Sequence, residues 1–194
     1  YPALQFIKEL SQREDCLVYY FHSKGISYQS LVSDDRLFRA FQQKIEAWRE
    51  MLEYFVFDKW HVAVNALSND FDTYSCYRWP PRNYTMYSGS FWWATSAHIR
   101  QLPDFQPDVI SANRFYSEVW LFERKHRQFS AFDTIADLYF VRIPRSIYAD
   151  GKPSFIDKLR FSFMYNLRKI EKHIFHYNYK KRCQQRFQQL KKKI

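Results

Sequence analysis

Apolar and polar positions follow two different periods along this chain, and the changes of period outline its elements. Leu4, Ile7 and Leu10 recur at helical spacing behind Pro2, which suits a first helical turn. Ser11 to Asp15 is polar and turn-like. The continuous run Cys16-Leu-Val-Tyr-Tyr-Phe21 then reads as a buried, interior strand, ended by His22-Ser-Lys-Gly25. Ser33 or Asp34 can cap a long helix reaching about Trp60, with Leu37, Phe41, Ile45, Trp48, Leu52, Phe55 and Val56 on its apolar stripe. A helical continuation covers 60–67. Asn69 to Thr85 has no period, but a loop so rich in Tyr and Trp is not a passive linker.

The second half repeats the alternation. A β-like run from Tyr84 to Ala94 breaks at Ser88-Gly89 and hands over to a helix from Ser96 that stops before Pro103. After a loop at 104–108, a helix from about Asn113 to Arg127 carries Phe115, Val119 and Phe122. Leu138 to Ile143 reads as a short strand closed by Pro144. From Ser154 to about Arg186 the pattern is helical, with a break near Tyr177-Asn178 and a stripe of Phe155, Leu159, Phe163, Leu167, Ile170 and Ile174. Helices and strands joined by long helical crossovers indicate an α/β fold with a mixed sheet. The body is expected at 1–149, with 150–194 as a basic amphipathic helical tail that can also pack on it.

The stretch Tyr87-Ser-Gly-Ser-Phe-Trp-Trp-Ala-Thr-Ser-Ala-His-Ile-Arg100 is the centre of the pattern. It holds one of three glycines and two of six tryptophans. Adjacent tryptophans on an extended segment point to opposite faces, so one can enter a core while the other lines a cleft. A central strand with a bulge accounts for the same residues.

Composition changes this picture in two ways. With 194 residues, 46% apolar and 21% aromatic, the chain can bury a core as one domain, and no apolar run reaches membrane-spanning length. No signal-peptide pattern is visible, and because Tyr1 opens directly at a helix start, further chain is expected before it. Cys16, Cys76 and Cys183 have no metal-binding spacing and read as reduced cytoplasmic thiols. The net charge of +10 is very uneven. Residues 150–194 hold 13 Lys/Arg against 3 Asp/Glu, leaving 17 of each in the remainder. Such a tail, with Phe161, Phe163, Tyr165, Phe175, Tyr177 and Tyr179 among its bases, suits an anionic membrane surface through 154–186, ahead of a helix packed on the body. Nucleic-acid contact through the tail ranks last, a second alternative rather than an expected partner; no zinc finger, RNP signature or GxGxxG loop is present, so a Rossmann cofactor site is unsupported.

Three groups of residues carry candidate chemistry. His22 and Lys24 alternate at a strand end, where both can present hydrogens to a phosphate or carboxylate; a loop histidine and a surface lysine would look the same. Asp70-Phe-Asp72 has the Asp-x-Asp form that holds a divalent ion such as Mn or Mg on a diphosphate, although aspartates also cap turns. Glu118 is four residues from Arg114 and either pairs with it along a helix or points into a cleft lined by Trp92 or Trp93, where an apolar wall makes a carboxylate a general base. Glu123 competes for that role, but Arg124-Lys125 beside it looks like solvated surface.

In this order, Tyr-Tyr-Phe-His-Ser-Lys-Gly25, Trp48-Arg-Glu-Met-Leu-Glu-Tyr-Phe55, Tyr87-Ser-Gly-Ser-Phe-Trp-Trp-Ala94 and Arg114-Phe-Tyr-Ser-Glu-Val-Trp120 resemble small bacterial-type polysaccharide-biosynthesis glycosyltransferases with a GT-A-like fold, distantly similar to the rhamnan-synthesis group. The resemblance covers roughly residues 1–125. It implies a nucleotide-sugar donor held at its diphosphate by His22, Lys24 and Gly25, with Ser23 where Thr is usual. It places Gly89, Ser90, Trp92, Trp93 and Arg114 at the sugar or acceptor, with Ser90 in an Asn position, and makes Glu118 the catalytic base of an inverting transfer. Asp72 matches an Asp followed by a glycine, which Ser75 replaces here; the usual Asp-x-Asp after a sheet strand is not recognisable, so metal dependence stays open. The first nucleotide-binding strand has no counterpart after Tyr1, so the donor pocket either draws on preceding chain or belongs to a reduced domain. The implied acceptor is a glycan or lipid-linked glycan, and the implied location cytoplasmic, peripheral at the inner face of the plasma membrane. A non-catalytic carbohydrate-binding or assembly protein is the alternative, because stacking tryptophans serve that equally.

Overall fold

The computed structural model describes residues 2–22, 26–78, 86–113, 115–132, 134, 136–149 and 154–192. In chain order the helices are α1 (Pro2–Arg13), α2 (Ile26–Gln29), α3 (Arg36–Glu53), α4 (Trp60–Ser68), α5 (Ser96–Gln101), α6 (Pro107–Ala112), α7 (Tyr116–Val119), α8 (Phe155–His173) and α9 (Tyr179–Lys191). The strands are β1 (Leu17–Tyr20), β2 (Thr73–Ser75), β3 (Trp92–Thr95) and β4 (Gln128–Ser130). The chain is α/β, and its contacts gather into two units, one of residues 1–22 and 52–135 and the other of residues 23–51 and 136–194.

The first unit holds the four-stranded sheet in the order β1-β3-β2-β4. β3 pairs antiparallel with β1 and β2, whereas β2 and β4 run parallel. The sheet is therefore mixed, as the sequence suggests, but β1 is an edge strand rather than an interior one, and Leu17 is exposed. An aromatic and branched run reads as doubly buried even when only alternate positions are covered. One core gathers Leu4, Val18, Tyr87, Trp92, Ile99 and Trp120, and a second gathers Ala63, Ala66, Leu67 and Tyr74 with half-buried Trp93. The period of α1 is misleading. Lys8 is buried instead of Leu10, because its ammonium caps the carboxyl end of α5, donating to the carbonyls of Ile99 at 3.2 Å, Arg100 at 2.8 Å and Leu102. Thr95 caps the other end of α5, accepting from the His98 amide at 3.2 Å.

Three further expectations change. Residues 54–58 form a π-helical turn between α3 and α4, and the carbonyls of Phe55 and Val56 accept hydrogen bonds from Tyr74 Oη at 2.9 Å and Trp93 Nε1 at 2.7 Å. The helix expected over 113–127 is α7 followed by a short 3₁₀ turn at Trp120–Phe122, and the chain then enters β4. Of the stretch 69–85, residues 73–75 form β2, 69–72 and 76–77 are irregular as expected, Arg78 makes an isolated bridge to Tyr87, and 79–85 lie outside the described residues.

In the second unit α3 is capped by Asp35, not Ser33 or Asp34. Asp35 Oδ1 accepts from the Phe38 amide at 2.9 Å, and its other oxygen accepts from Arg186 at 2.7 Å. These bonds, the backbone donor foremost, hold the Asp35 carboxyl below the usual carboxylate range. Phe38 and Tyr28 pack on Phe187, while Phe41 and Trp48 pack on Tyr139. Leu138, Phe140, Val141 and Ile143 are buried as expected of a strand, yet the segment is irregular. Tyr179, Cys183 and Phe187 bury one face of α9, so residues 150–194 fold with 23–51 and 136–149. The break near Tyr177 is present, with Asn178 capping α9 through the Lys181 amide at 3.0 Å.

α8 is amphipathic in an unusual sense. Ser154 caps it through the Asp157 amide at 3.3 Å, yet none of its residues is fully buried. Ile156, Leu159, Phe163, Ile170 and Ile174 are all exposed, so the apolar stripe faces away from its own unit. Among the described residues no helix is long and apolar enough to cross a membrane.

Candidate functional site

The antiparallel register of β1 and β3 places Tyr20 opposite Trp92. Two residues further along, His22 stands beyond the carboxyl end of β1, its ring 6.0 Å from that of Phe91. Directly before Phe91 the chain makes a tight 3₁₀ turn at Ser88–Ser90, anchored by the Ser88 amide on the Tyr77 carbonyl at 2.9 Å. Gly89 has φ 79° and Ser90 φ 54°, so two successive residues occupy the left-handed region. Gly89 is there without steric cost, whereas Ser90 is held there by its surroundings. Ser90 is buried, and its hydroxyl has no hydrogen-bond partner among the described residues. Two polar motifs far apart in sequence thus both flank Phe91 at one end of the β1/β3 pair.

The adjacent tryptophans do point to opposite faces. Trp92 is only 3% exposed and stacks on Tyr20 at 4.9 Å, which leaves it no open ring face. Trp93 stacks on Tyr19 at 5.0 Å, and Tyr19 stacks in turn on Phe21 at 5.1 Å. Phe57 lies 6.4 Å from Tyr19, and both Phe21 and Phe57 are exposed. The row from Trp93 through Tyr19 to Phe21 forms a stacked aromatic surface that ends in exposed Phe21, and Phe6 and Trp60 are exposed elsewhere in this unit. Neither Phe21 nor Phe57 carries a sign in the sequence, because Phe21 ends a strand-like run that reads as core and Phe57 falls in a helical run. Burial, with Glu53 and Asp58 nearby, pushes the Tyr19 phenol up to about 12.

Glu118 lies half-buried on the four-residue helix α7, whose Tyr116 enters the same core as Trp92 and Trp120. Trp120 Nε1 donates to the Pro103 carbonyl at 2.8 Å, which fixes the adjoining turn. Lys24, Gly25 and Arg114 lie outside the described residues.

Asp70 and Asp72 lie in the turn before β2 and bind Arg127, which immediately precedes β4. Asp70, at φ 70°, pairs with Arg127 at 3.2 Å, and Asp72 Oδ2 accepts from the Arg127 amide at 2.7 Å. Among the described residues no three His, Cys, Asp or Glu side chains gather as metal ligands. The two carboxylates therefore fit a turn better than a metal centre. Ser75, in the place of the expected glycine, is buried and donates to the Phe91 carbonyl, tying β2 to the 88–91 turn.

The sequence left a second polar feature unnoticed. His98 and His126 stack with ring centroids 4.2 Å apart. His98 Nε2 donates to the Leu121 carbonyl at 2.9 Å, and His126 Nδ1 donates to the Arg124 carbonyl at 2.7 Å. His126 Nε2 is buried without a partner. Burial above all, then His98, brings His126 down to about 4, against the opposing pull of the Arg124 carbonyl and Asp72.

Comparison with known proteins gives no match to a family model, to a curated protein or to a solved structure.

Proposed function

We propose that the chain is a glycosyltransferase with a GT-A-like fold that moves a sugar from a nucleotide-sugar donor to a glycan or lipid-linked acceptor in surface polysaccharide synthesis. The observation that supports this reading is that His22 and the Ser88–Ser90 turn both flank Phe91 at one end of the β1/β3 pair. Under this proposal a hydrogen-bond donor at a strand end, a left-handed turn that brings backbone close, and a buried hydroxyl without a partner together serve the phosphate and sugar groups. In this reading His22, with Lys24 and Gly25 following it, stabilises the leaving diphosphate. Gly89 and Ser90 shape the approach of donor or acceptor. Trp93 acts through the stacked row that ends in exposed Phe21, which offers its face to a sugar ring. Glu118 takes the acceptor proton, giving an inverting transfer. No step is assigned to a divalent ion, since Asp70 and Asp72 are bound to Arg127.

Placement at an inner membrane surface is part of the same proposal. The exposed stripe of α8 supplies apolar insertion, and Lys158, Lys169 and Lys172 off the stripe supply attraction to anionic lipid.

The test is a thermal-shift screen against UDP-, GDP-, CMP- and dTDP-sugars with and without Mn²⁺, because a ligand of the native state raises its apparent stability. One nucleotide class should raise Tm, and His22→Ala should abolish the shift. Glu118→Gln should keep the shift while turnover falls by about 10²–10⁴-fold. Full turnover in Glu118→Gln would remove the base assignment. A second reading, a non-catalytic carbohydrate-binding protein, is favoured by the stacked row ending at Phe21; it predicts glycan binding with no nucleotide affinity.

A further inference from the structure

The unit of residues 23–51 and 136–194 contains a cleft of about 500 Å³ between α3, the 140–145 segment and α8. Its polar lining is strongly one-sided. Lys44, Arg142, Arg145, Arg160 and Arg168 face it, against Glu50 and Asp157. Asp157 is already engaged by the Ser146 hydroxyl. α8 turns Arg160, Met164 and Arg168 toward the cleft at spacings of four, the face flanking its exposed apolar stripe.

Two of these cations, Lys44 and Arg168, meet little negative charge within the protein. Lys44 Nζ donates to the Ala40 carbonyl at 3.1 Å and to Tyr179 Oη at 2.8 Å, both neutral. Arg168 pairs with Glu171 at 2.6 Å and stacks over the Tyr179 ring at 4.3 Å, but its Nε is buried without a hydrogen-bond partner. Burial, then the Arg168 and Arg142 guanidiniums, bring Lys44 down to about 8, with the Cys183 thiol opposing. Like charges crowded together in a half-buried cleft are an unfavourable arrangement that an anion would reverse. The remaining walls, Phe140, Ile143, Phe161 and Met164, are apolar.

From this juxtaposition we propose that the cleft is a binding site for a phosphate or diphosphate group carried on an organic moiety. The forked guanidiniums of Arg142 and Arg160 and the Lys44 ammonium would hold the phosphate oxygens, and the apolar wall the attached group. A lipid headgroup and a soluble organic phosphate share this chemistry. The site does not depend on the transferase reading, since none of its residues belongs to the group of His22 and Ser88–Ser90.

The experiment uses the full chain and two probes. Inorganic pyrophosphate is titrated by calorimetry, and vesicles of phosphatidic acid in phosphatidylcholine are compared with phosphatidylcholine alone. The test variant is Arg142→Ala with Arg160→Ala, at two exposed positions. The control, Lys181→Ala with Lys191→Ala, removes the same charge from exposed positions of α9 outside the cleft. Both variants should keep the wild-type Tm without ligand. Affinity should fall about tenfold or more in the Arg142/Arg160 variant and stay near wild type in the control. Loss confined to pyrophosphate identifies a soluble source, and loss confined to phosphatidic acid vesicles a lipid one. Absence of binding to both probes, or equal loss in the two variants, would overturn the proposal.

Discussion

Gly89 suits the backbone it adopts, whereas Ser90 and His126 each occupy a position that stability alone would not select. Gly89 at φ 79° is buried, so Gly89→Ala should destabilise by about 1–2 kcal/mol from the backbone conformation, with crowding by the new methyl adding to it. Urea denaturation measures this. Ser90 differs, because its backbone angle suits glycine and its hydroxyl satisfies no partner. Ser90→Gly should leave stability unchanged or raise it by up to about 1 kcal/mol. If the hydroxyl serves the proposed transfer, activity should fall in the same variant, and retained activity would deny Ser90 any part in it. His126 makes a pH prediction with a definite sign. Its folded value of about 4 lies below the unfolded value of 6.5, so between these the unfolded chain binds more protons. Stability is therefore full above pH 6.5 and falls as pH drops toward 4. Thermal melts should show Tm falling by a few degrees across that window, and His126→Gln should make the fall shallower. An equally steep fall in that variant would assign the acid sensitivity elsewhere.

Among the elements, the periods of the sequence locate helices well but do not say which face is covered. α5, α9 and the break before Asn178 are legible because caps and spacing agree. α1 is only half legible, since the lysine it buries serves three carbonyls of an element distant in sequence, which no local period encodes. The 138–143 run fails as a strand for a related reason. Its side chains enter a core, but it joins none of the four paired strands. The candidate site was legible in parts: His22 and the Ser88–Ser90 turn are visible as motifs, but their placing beside Phe91 follows from the β1/β3 register. The stacked row ending at Phe21, the histidine pair and the cationic cleft depend on packing and left no periodic sign. α8 carries the prediction that belongs to this scale. Ile156→Glu with Phe163→Glu changes two exposed positions and should leave Tm unchanged, while sedimentation with phosphatidylglycerol vesicles should fall several-fold. Unchanged sedimentation would remove the stripe from any membrane role.

For the whole molecule, the uneven charge noted in the sequence takes a different meaning. The excess of cations in 150–194 is not confined to an appendage, because α9 supplies Tyr179, Cys183 and Phe187 to a core and Arg186 to the cap of α3. Part of that charge lines the cleft, and part stands off the exposed stripe of α8. Deleting 150–194 would therefore remove core residues as well as charge, so point changes on α8 report on the surface more cleanly than truncation does.

The two units are each discontinuous, and this bears on how the chain emerges from the ribosome. α3 is synthesised early, with Phe38 due to rest on Phe187 and Asp35 on Arg186, a partner 151 residues further along. At about 5–20 residues per second, that partner appears roughly 8–30 s later. For that interval the apolar stripe of α3 has no α9 to cover it, while the sheet of the other unit is still being translated. The nascent chain thus has a built-in period of exposure to holdase chaperones, whose length is set by the translation rate of the residues between Asp35 and Arg186.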